Sequence, residues 1–283
     1  MTPADKFAAA KVRAMFASEI SKPDAEISLA RAALLVGAEE EPRACDVDRC
    51  LARLDEMGEE ARARFVRGGG AKVEALNRYI FDEQRFEGNE SDYYDPRNSM
   101  LHRVLERRTG IPITLSIIYI EVGRRAGLHA EGIGLPGHFV VRVSEGDGRS
   151  VLVDPFNRKV TDEEECQKRL DVIYDGVVEL SEEHLRAVGT RSIIARVLGN
   201  LKAVYVQTRL FRRALSAVER ILLIAPHDLA ERRDRGVLLA QLGRLTEAIV
   251  ETQTCLSLAP DAPDAESVRE QLKKMRLRHS MLN

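Results

Sequence analysis

The chain has 283 residues, 44% hydrophobic and 31% charged, with a formal net charge of −2. That length allows one large domain or two ordinary ones, each with a sizeable core. The near-neutral charge lacks the polybasic excess of a nucleic-acid or membrane-surface protein, and no apolar run is long enough to cross a bilayer.

The N-terminal residues MTPADKFAAAKVRAMF show no export-type pattern, so a cytoplasmic location is expected. Residues 1–66 read as almost wholly helical. An Ala-rich helix over 1–21 is interrupted by Pro23, and Asp24 is predicted to cap a helix over 27–36. Gly37 and the acidic residues 39–41 before Pro42 are expected to end it. A third helix over 47–65 carries Leu51, Leu54 and Met57 on related faces. It stops before Gly68, Gly69 and Gly70, a flexible joint without the Lys and Ser/Thr of a phosphate loop.

Residues 72–81 form another helical run, with Val73, Leu76, Tyr79 and Ile80 at helical spacing. The segment 85–98 is a polar and aromatic loop containing Tyr93, Tyr94, Asp95 and Asn98. It is either an ordered structural wrap, the favoured reading, or part of a binding site. Ser99 is expected to cap a helix over 100–107.

The stretch 101–156 organises the rest. A helix over 114–125 has apolar residues on most sides and should be packed on most sides. A strand over 138–143 follows Pro136 and Gly137. A second, over 150–154, follows the polar link 145–148. His138 begins one strand and Asp154 ends the next, so an antiparallel pair would let them meet. This is the one catalytic-looking constellation in the chain. Gly134, Pro136 and Gly137 would shape a rim beside it. Arg107 and Arg108 either hold a ligand carboxylate or pair with local acids.

Beyond Phe156 an acidic helix start at 161–165 leads into mixed helix and turn over 166–190. There Ser181 is a candidate cap, and His184 reads as a surface or half-buried structural residue. The pattern then changes. Pro226 and Pro260 are 34 residues apart, and in that register Tyr205 matches Leu239, Phe211 matches Leu245 and Ala214 matches Ala248. Two helix-turn-helix units of tetratricopeptide type are predicted over 196–227 and 228–261, followed by a capping helix over 265–277.

The four cysteines, Cys45, Cys50, Cys166 and Cys255, form no Cys-x-x-Cys pair and read as reduced, mostly structural thiols. No Cys/His cluster has zinc-ligand spacing, and neither a metal nor another cofactor is expected. The absence of Trp and the scarcity of aromatic residues argue against a base-stacking surface for nucleic acid.

The runs RYIF (78–81), RFEGNESDYYDPRNSMLHRVLERRTGIPITLS (85–116), GLPGHFVVRV (134–143) and VLVDPF (151–156) resemble a bacterial family with a transglutaminase-like domain followed by tetratricopeptide repeats. That family is often labelled invasion-regulator-like, and a related segment occurs in certain eukaryotic F-box proteins. The resemblance covers roughly residues 25–255. It implies an α+β fold: a mainly helical, papain-related domain with a small antiparallel sheet, then an all-α repeat region. The expected organisation is a helical subdomain over 1–66, a transglutaminase-like core over 67–190, and repeats with a cap over 196–283.

The wider superfamily uses a Cys at the start of a buried helix, a His on the next strand and an Asp on the strand after. The resemblance places the His at His138 and the Asp at Asp154. The nucleophile would fall two residues after Gly110, where this chain has Pro112. Cys166 lies in an acidic segment that would raise its pKa. The hydroxyls of Thr114 and Ser116 read either as cap or core hydrogen-bonders, the favoured reading, or as alternative nucleophiles.

Two functions follow. The first is a non-catalytic adaptor that binds a protein or peptide, with Tyr94, Arg107, Arg108, Pro112, Gly137 and His138 around a recognition cleft. The second is a hydrolase or acyltransferase on an amide or ester, using His138 and Asp154 with a Ser or Thr nucleophile. Neither nucleic acid nor membrane is an expected partner, and nothing assigns an oligomeric state.

Overall fold

The computed structural model describes residues 2–68, 71–145 and 150–282. The glycine joint over 68–70 and the polar link over 145–148 lie largely outside those residues. The chain folds as two compact units, residues 1–197 and 198–283.

In the first unit, α1 (Pro3–Ile20), α2 (Leu29–Glu40) and α3 (Val47–Gly68) precede α4 (Lys72–Asn77), which continues as a π-helical turn over Arg78–Glu83. Asp24 does not cap α2. Ser28 does, with its hydroxyl accepting the Arg31 N–H, while Asp24 sits in a 3-10 turn. Its carboxylate reaches across the unit and accepts the N–H groups of Thr190 and Arg191, both at 2.9 Å. Nor does Gly37 end α2, which runs on to Glu40. A Cβ at residue 37 would come within 2.5 Å of the buried His102 Nδ1, so glycine serves close packing there.

The wrap then forms β1 (Glu87–Gly88) and a 3-10 turn (Pro96–Ser99) capped by Asp95, leading to α5 (Leu101–Arg107). Because that turn incorporates Ser99, the N-cap of α5 is Met100, which makes no side-chain cap bond. β2 (Thr109–Gly110) pairs in parallel with β1, and α6 (Pro112–Ala126) follows. Ile113, Leu115, Ile117, Ile118, Ile120 and Val122 of α6 are all buried, as a helix apolar on most sides requires. It packs against α3 on one side and against the sheet on another.

That sheet has four antiparallel strands, not two, in the order β3 (His129–Ile133), β4 (Val140–Ser144), β5 (Ser150–Asp154) and β6 (Lys159–Thr161). Val141 lies opposite Val153 in the β4–β5 register. β4 starts two residues later than expected, so His138 lies in the turn that leads into it. Glu131 and Gly132 dilute the strand pattern of β3, and pairing with β4 imposes it. α7 (Glu163–Tyr174), capped by Asp162, and the start of α8 (Thr190–Gln207) complete the unit. Ser181 caps no helix. Its N–H donates to His184 Nδ1 at 3.1 Å within a turn, and His184 is half-buried.

The second unit takes up the remainder of α8 and adds α9 (Phe211–Ile224), α10 (Leu229–Gln241), α11 (Leu245–Leu258) and α12 (Ala265–Leu282). Tyr205, Leu239, Ala214 and Ala248 are fully buried at their matched positions. Pro226 and Pro260 each lie two residues beyond the end of α9 and α11. Lys202 of α8 is bound by Glu231 and Asp234 of α10 at 2.6 and 2.7 Å. The helices are those of two tetratricopeptide units and a cap. No helix of the described residues is long and apolar enough to cross a membrane.

Candidate functional site

Asp154, at the end of β5, organises a tight turn with Phe156 and Asn157. Its Oδ1 accepts both of their backbone N–H groups at 3.1 Å, and its Oδ2 accepts Asn157 Nδ2 at 2.6 Å. The same Oδ2 lies 2.7 Å from His138 Nε2. The two residues are 2% and 3% exposed. Burial pushes the Asp154 carboxyl up, but the His138 and Asn157 hydrogen bonds outweigh it and hold the group below its ordinary 3.8.

His138 is fixed from behind as well. Its backbone N–H donates to the Leu135 carbonyl at 3.1 Å. Arg196 of α8 donates to the Leu135 and His138 carbonyls at 2.9 and 2.6 Å, with its guanidinium 5.4 Å from the Phe139 ring centroid. Gly137, at φ +68°, makes the turn, and a Cβ there would press on Ile173. The Phe156 ring stands edge-on to the imidazole at 6.5 Å. With Nε2 committed to Asp154, the other ring nitrogen, Nδ1, is buried without a hydrogen-bond partner.

No nucleophile meets that nitrogen among the described hydrogen bonds. Pro112 occupies the first turn of α6. Thr114 is fully buried. It donates its hydroxyl to the Asn98 carbonyl at 2.7 Å, has the Ile111 carbonyl at 3.2 Å, and accepts the Ile111 N–H. Ser116, equally buried, donates to the Phe139 carbonyl at 3.4 Å. Cys166 packs with Ile133, Leu135 and Val140 beneath the sheet. Burial first, then the nearby Asp154 charge, pushes its thiol up. Among the described residues, no group of three or more His, Cys, Asp or Glu is placed to hold a metal ion.

The remaining expected residues separate. Arg107 pairs with Asp95 at 3.1 Å and lines a polar cleft of about 720 Å³ with Asn89, Phe156 and Asn157. A second cleft, of about 650 Å³, reaches Asp154 and Asn157 and is walled by Arg169 and Ile173. Arg108 belongs to neither. It lies over the Phe86 ring and lines a different cleft with Cys50, so it is no part of the His138 surroundings. Tyr94 is 61% exposed and contacts Tyr93 edge-on. The wrap is internally bonded: Asn98 Nδ2 donates to the Asp92 and Tyr93 carbonyls, and its Oδ1 accepts Asn89 Nδ2. Sequence reasoning did not identify Arg196 and Asn157 as positioning residues. The Asx-type DPFN run was a legible signal for Asn157, whereas Arg196 is 58 residues from His138 and carried none.

The chain thus carries, in order, a buried helix, a His-bearing turn and an Asp-ended strand. The family model for the transglutaminase-like superfamily matches residues 48–199, more than half of the chain. The chain belongs to the transglutaminase-like superfamily. A tetratricopeptide repeat model matches residues 201–273 of this superfamily member. A UPF0162 protein of Xylella fastidiosa is 40% identical over 205 residues, covering 71% of this chain and 73% of that protein. Protein SirB1 of Salmonella typhimurium is 26% identical over 222 residues, covering 78% and 82%. F-box only protein 21 of the mouse is 34% identical over 134 residues, 46% of this chain but 21% of that protein. No solved structure matches the chain significantly.

Proposed function

We propose that the protein is a non-catalytic protein-binding adaptor built on a transglutaminase-like scaffold that has lost its nucleophile. The observation that carries this reading is the commitment of both candidate hydroxyls. Thr114 and Ser116 are wholly buried and donate to backbone carbonyls, while His138 Nδ1 has no partner. A general base acts on a nucleophile within hydrogen-bond reach, and Pro112 offers none. The His138–Asp154 pair then serves architecture, joining the turn before β4 to the end of β5. The tetratricopeptide units supply the helical surface, since stacked helix pairs of this kind present concave docking faces.

The competing reading is an amide or ester hydrolase or acyltransferase using His138 and Asp154 with Thr114 or Ser116. The test pairs labelling by serine- and threonine-directed acylating probes with turnover of activated ester and amide substrates. The adaptor reading expects no label and no turnover above the His138→Ala protein. Turnover abolished by His138→Ala, with the circular dichroism spectrum unchanged, overturns it and establishes the enzyme.

A further inference from the structure

Arg108 takes no part in the site above, and its own placement is costly. It is the C-cap of α5 at φ +62°, a left-handed conformation that strains any residue with a Cβ. Its half-buried guanidinium stands 4.7 Å from the Phe86 ring centroid. Among the described residues its one hydrogen-bond acceptor is the Met57 sulfur, at 4.0 Å. A rigid fork of five N–H donors thus meets a single weak acceptor and no carboxylate. The aromatic ring engages only the face of that fork and leaves its N–H edge free. Covering Phe86 needs the aliphatic stem alone, so packing does not account for the charge.

Arg108 lines a cleft of about 610 Å³ together with Arg49, Arg53, Arg103 and Leu105. Two of those cations are already committed. Arg53 binds Glu56 and Gln84, both at 3.1 Å, and Arg103 binds Glu41 and Glu106 at 2.6 and 2.8 Å. Arg49 is exposed and, like Arg108, makes no ion pair among the described residues. Two carboxylates also line the cleft. Glu106 is the one held by Arg103, and the exposed Asp46 accepts the Arg49 backbone N–H on its Oδ1 at 3.0 Å. Two guanidinium forks are therefore left facing one space, opposed by a single carboxylate at its solvent side. Burial, and then the nearby Arg53 charge, push the Arg108 guanidinium down from its ordinary pKa, so the cleft lacks the anion that would relieve it.

We propose that this cleft is a binding site for a phosphoryl dianion, held between the half-buried Arg108 and the exposed Arg49. A phosphoryl group has three acceptor oxygens and can take N–H bonds from both forks at once, whereas a carboxylate satisfies one fork and one charge. The cleft is larger than a phosphate ion, and Leu105 gives it an apolar wall, so it has room for the body of a small phosphorylated molecule. The paired Arg53 and Arg103 add positive field without giving up their carboxylates. The arginine pair 107–108, equivalent in the sequence, is thus divided: Arg107 holds Asp95, and Arg108 is kept for a ligand.

The experiment titrates the full chain calorimetrically with phenyl phosphate, inorganic phosphate and acetate at low ionic strength. Both phosphates are expected to bind, at least about tenfold more tightly than acetate. Tighter binding of phenyl phosphate assigns the site to a small phosphomonoester, and equal binding assigns it to free phosphate. Arg108→Met keeps an unbranched apolar side chain over Phe86 and removes the fork. It should weaken phosphate binding at least about tenfold, while the urea midpoint without ligand is not lowered, because an unpaired half-buried charge has gone. Arg49→Gln, at an exposed position, should weaken binding about threefold or more and leave the urea midpoint unchanged. No binding of either phosphate overturns the proposal, as does acetate binding equally well. Phosphate affinity that is unchanged in Arg108→Met or in Arg49→Gln overturns it too.

Discussion

Asp154 receives four hydrogen bonds in a buried turn: from His138 Nε2, from two backbone N–H groups and from Asn157 Nδ2. Asp154→Ala removes the acceptor and strands those donors, three of them held by the local fold. The expected loss is about 3 kcal/mol of unfolding free energy, because breaking a buried pair leaves the surviving partner uncompensated. It is measured as a lower urea midpoint with an unchanged slope. A loss below about 0.5 kcal/mol contradicts the architectural role. At this scale the sequence was informative where chemistry was concentrated in one run. His138, Asp154 and Pro112 all lie in 101–156, and their order along a helix and two strands was legible, although His138 falls in the turn just before its strand. That Thr114 and Ser116 serve as cap or core hydrogen-bonders was legible too, but their partners were not, because a hydroxyl on a buried helix face bonds whichever carbonyl packs against it. Those partners, Asn98 and Phe139, belong to other elements.

At the scale of elements, local signals misled wherever a residue served a distant one. Asp24 reads as a cap for the next helix in sequence but caps the start of α8, more than 160 residues away. Gly37 reads as a helix stop but is a contact point for His102. The repeat units were legible because each repeat sees only its neighbours, so the sequence period and the structural period coincide. One difference between the two units makes a prediction. The inter-helix turn of the second passes through Gly243 at φ +75°, and the equivalent residue of the first is Arg209 at φ +57°. A side chain in the left-handed region costs roughly 1 kcal/mol, which glycine avoids. Gly243→Ala is expected to destabilise by about 1 kcal/mol, whereas Arg209→Gly should be neutral or slightly stabilising. Thermal unfolding of both variants checks the signs, and a stabilising Gly243→Ala contradicts the account.

Over the whole molecule, the buried titratable groups set a pH dependence with two stages. His102 is buried against Gly37, with Nε2 3.0 Å from Glu41. Burial pushes its imidazole below the ordinary 6.5, and Glu41 only partly opposes this. Below 6.5 the unfolded chain therefore binds a proton that the folded chain refuses, and stability declines as pH falls from that value toward the folded pKa. For Glu41, Asp95 and Asp154, burial pushes the carboxyls up but the hydrogen bonds and cations around them hold the net values below the ordinary 4.5, 3.8 and 3.8. Their contribution is complete above those ordinary values and is lost as pH falls through the lower folded ones. The urea midpoint should thus fall gently between about pH 7 and pH 5, then steeply below about pH 4. His102→Gln removes the titrating group and leaves an amide able to donate to Glu41. It should flatten the first stage and leave the acid stage intact. An unchanged slope between about pH 7 and pH 5 in that variant would show that some other group sets the first stage.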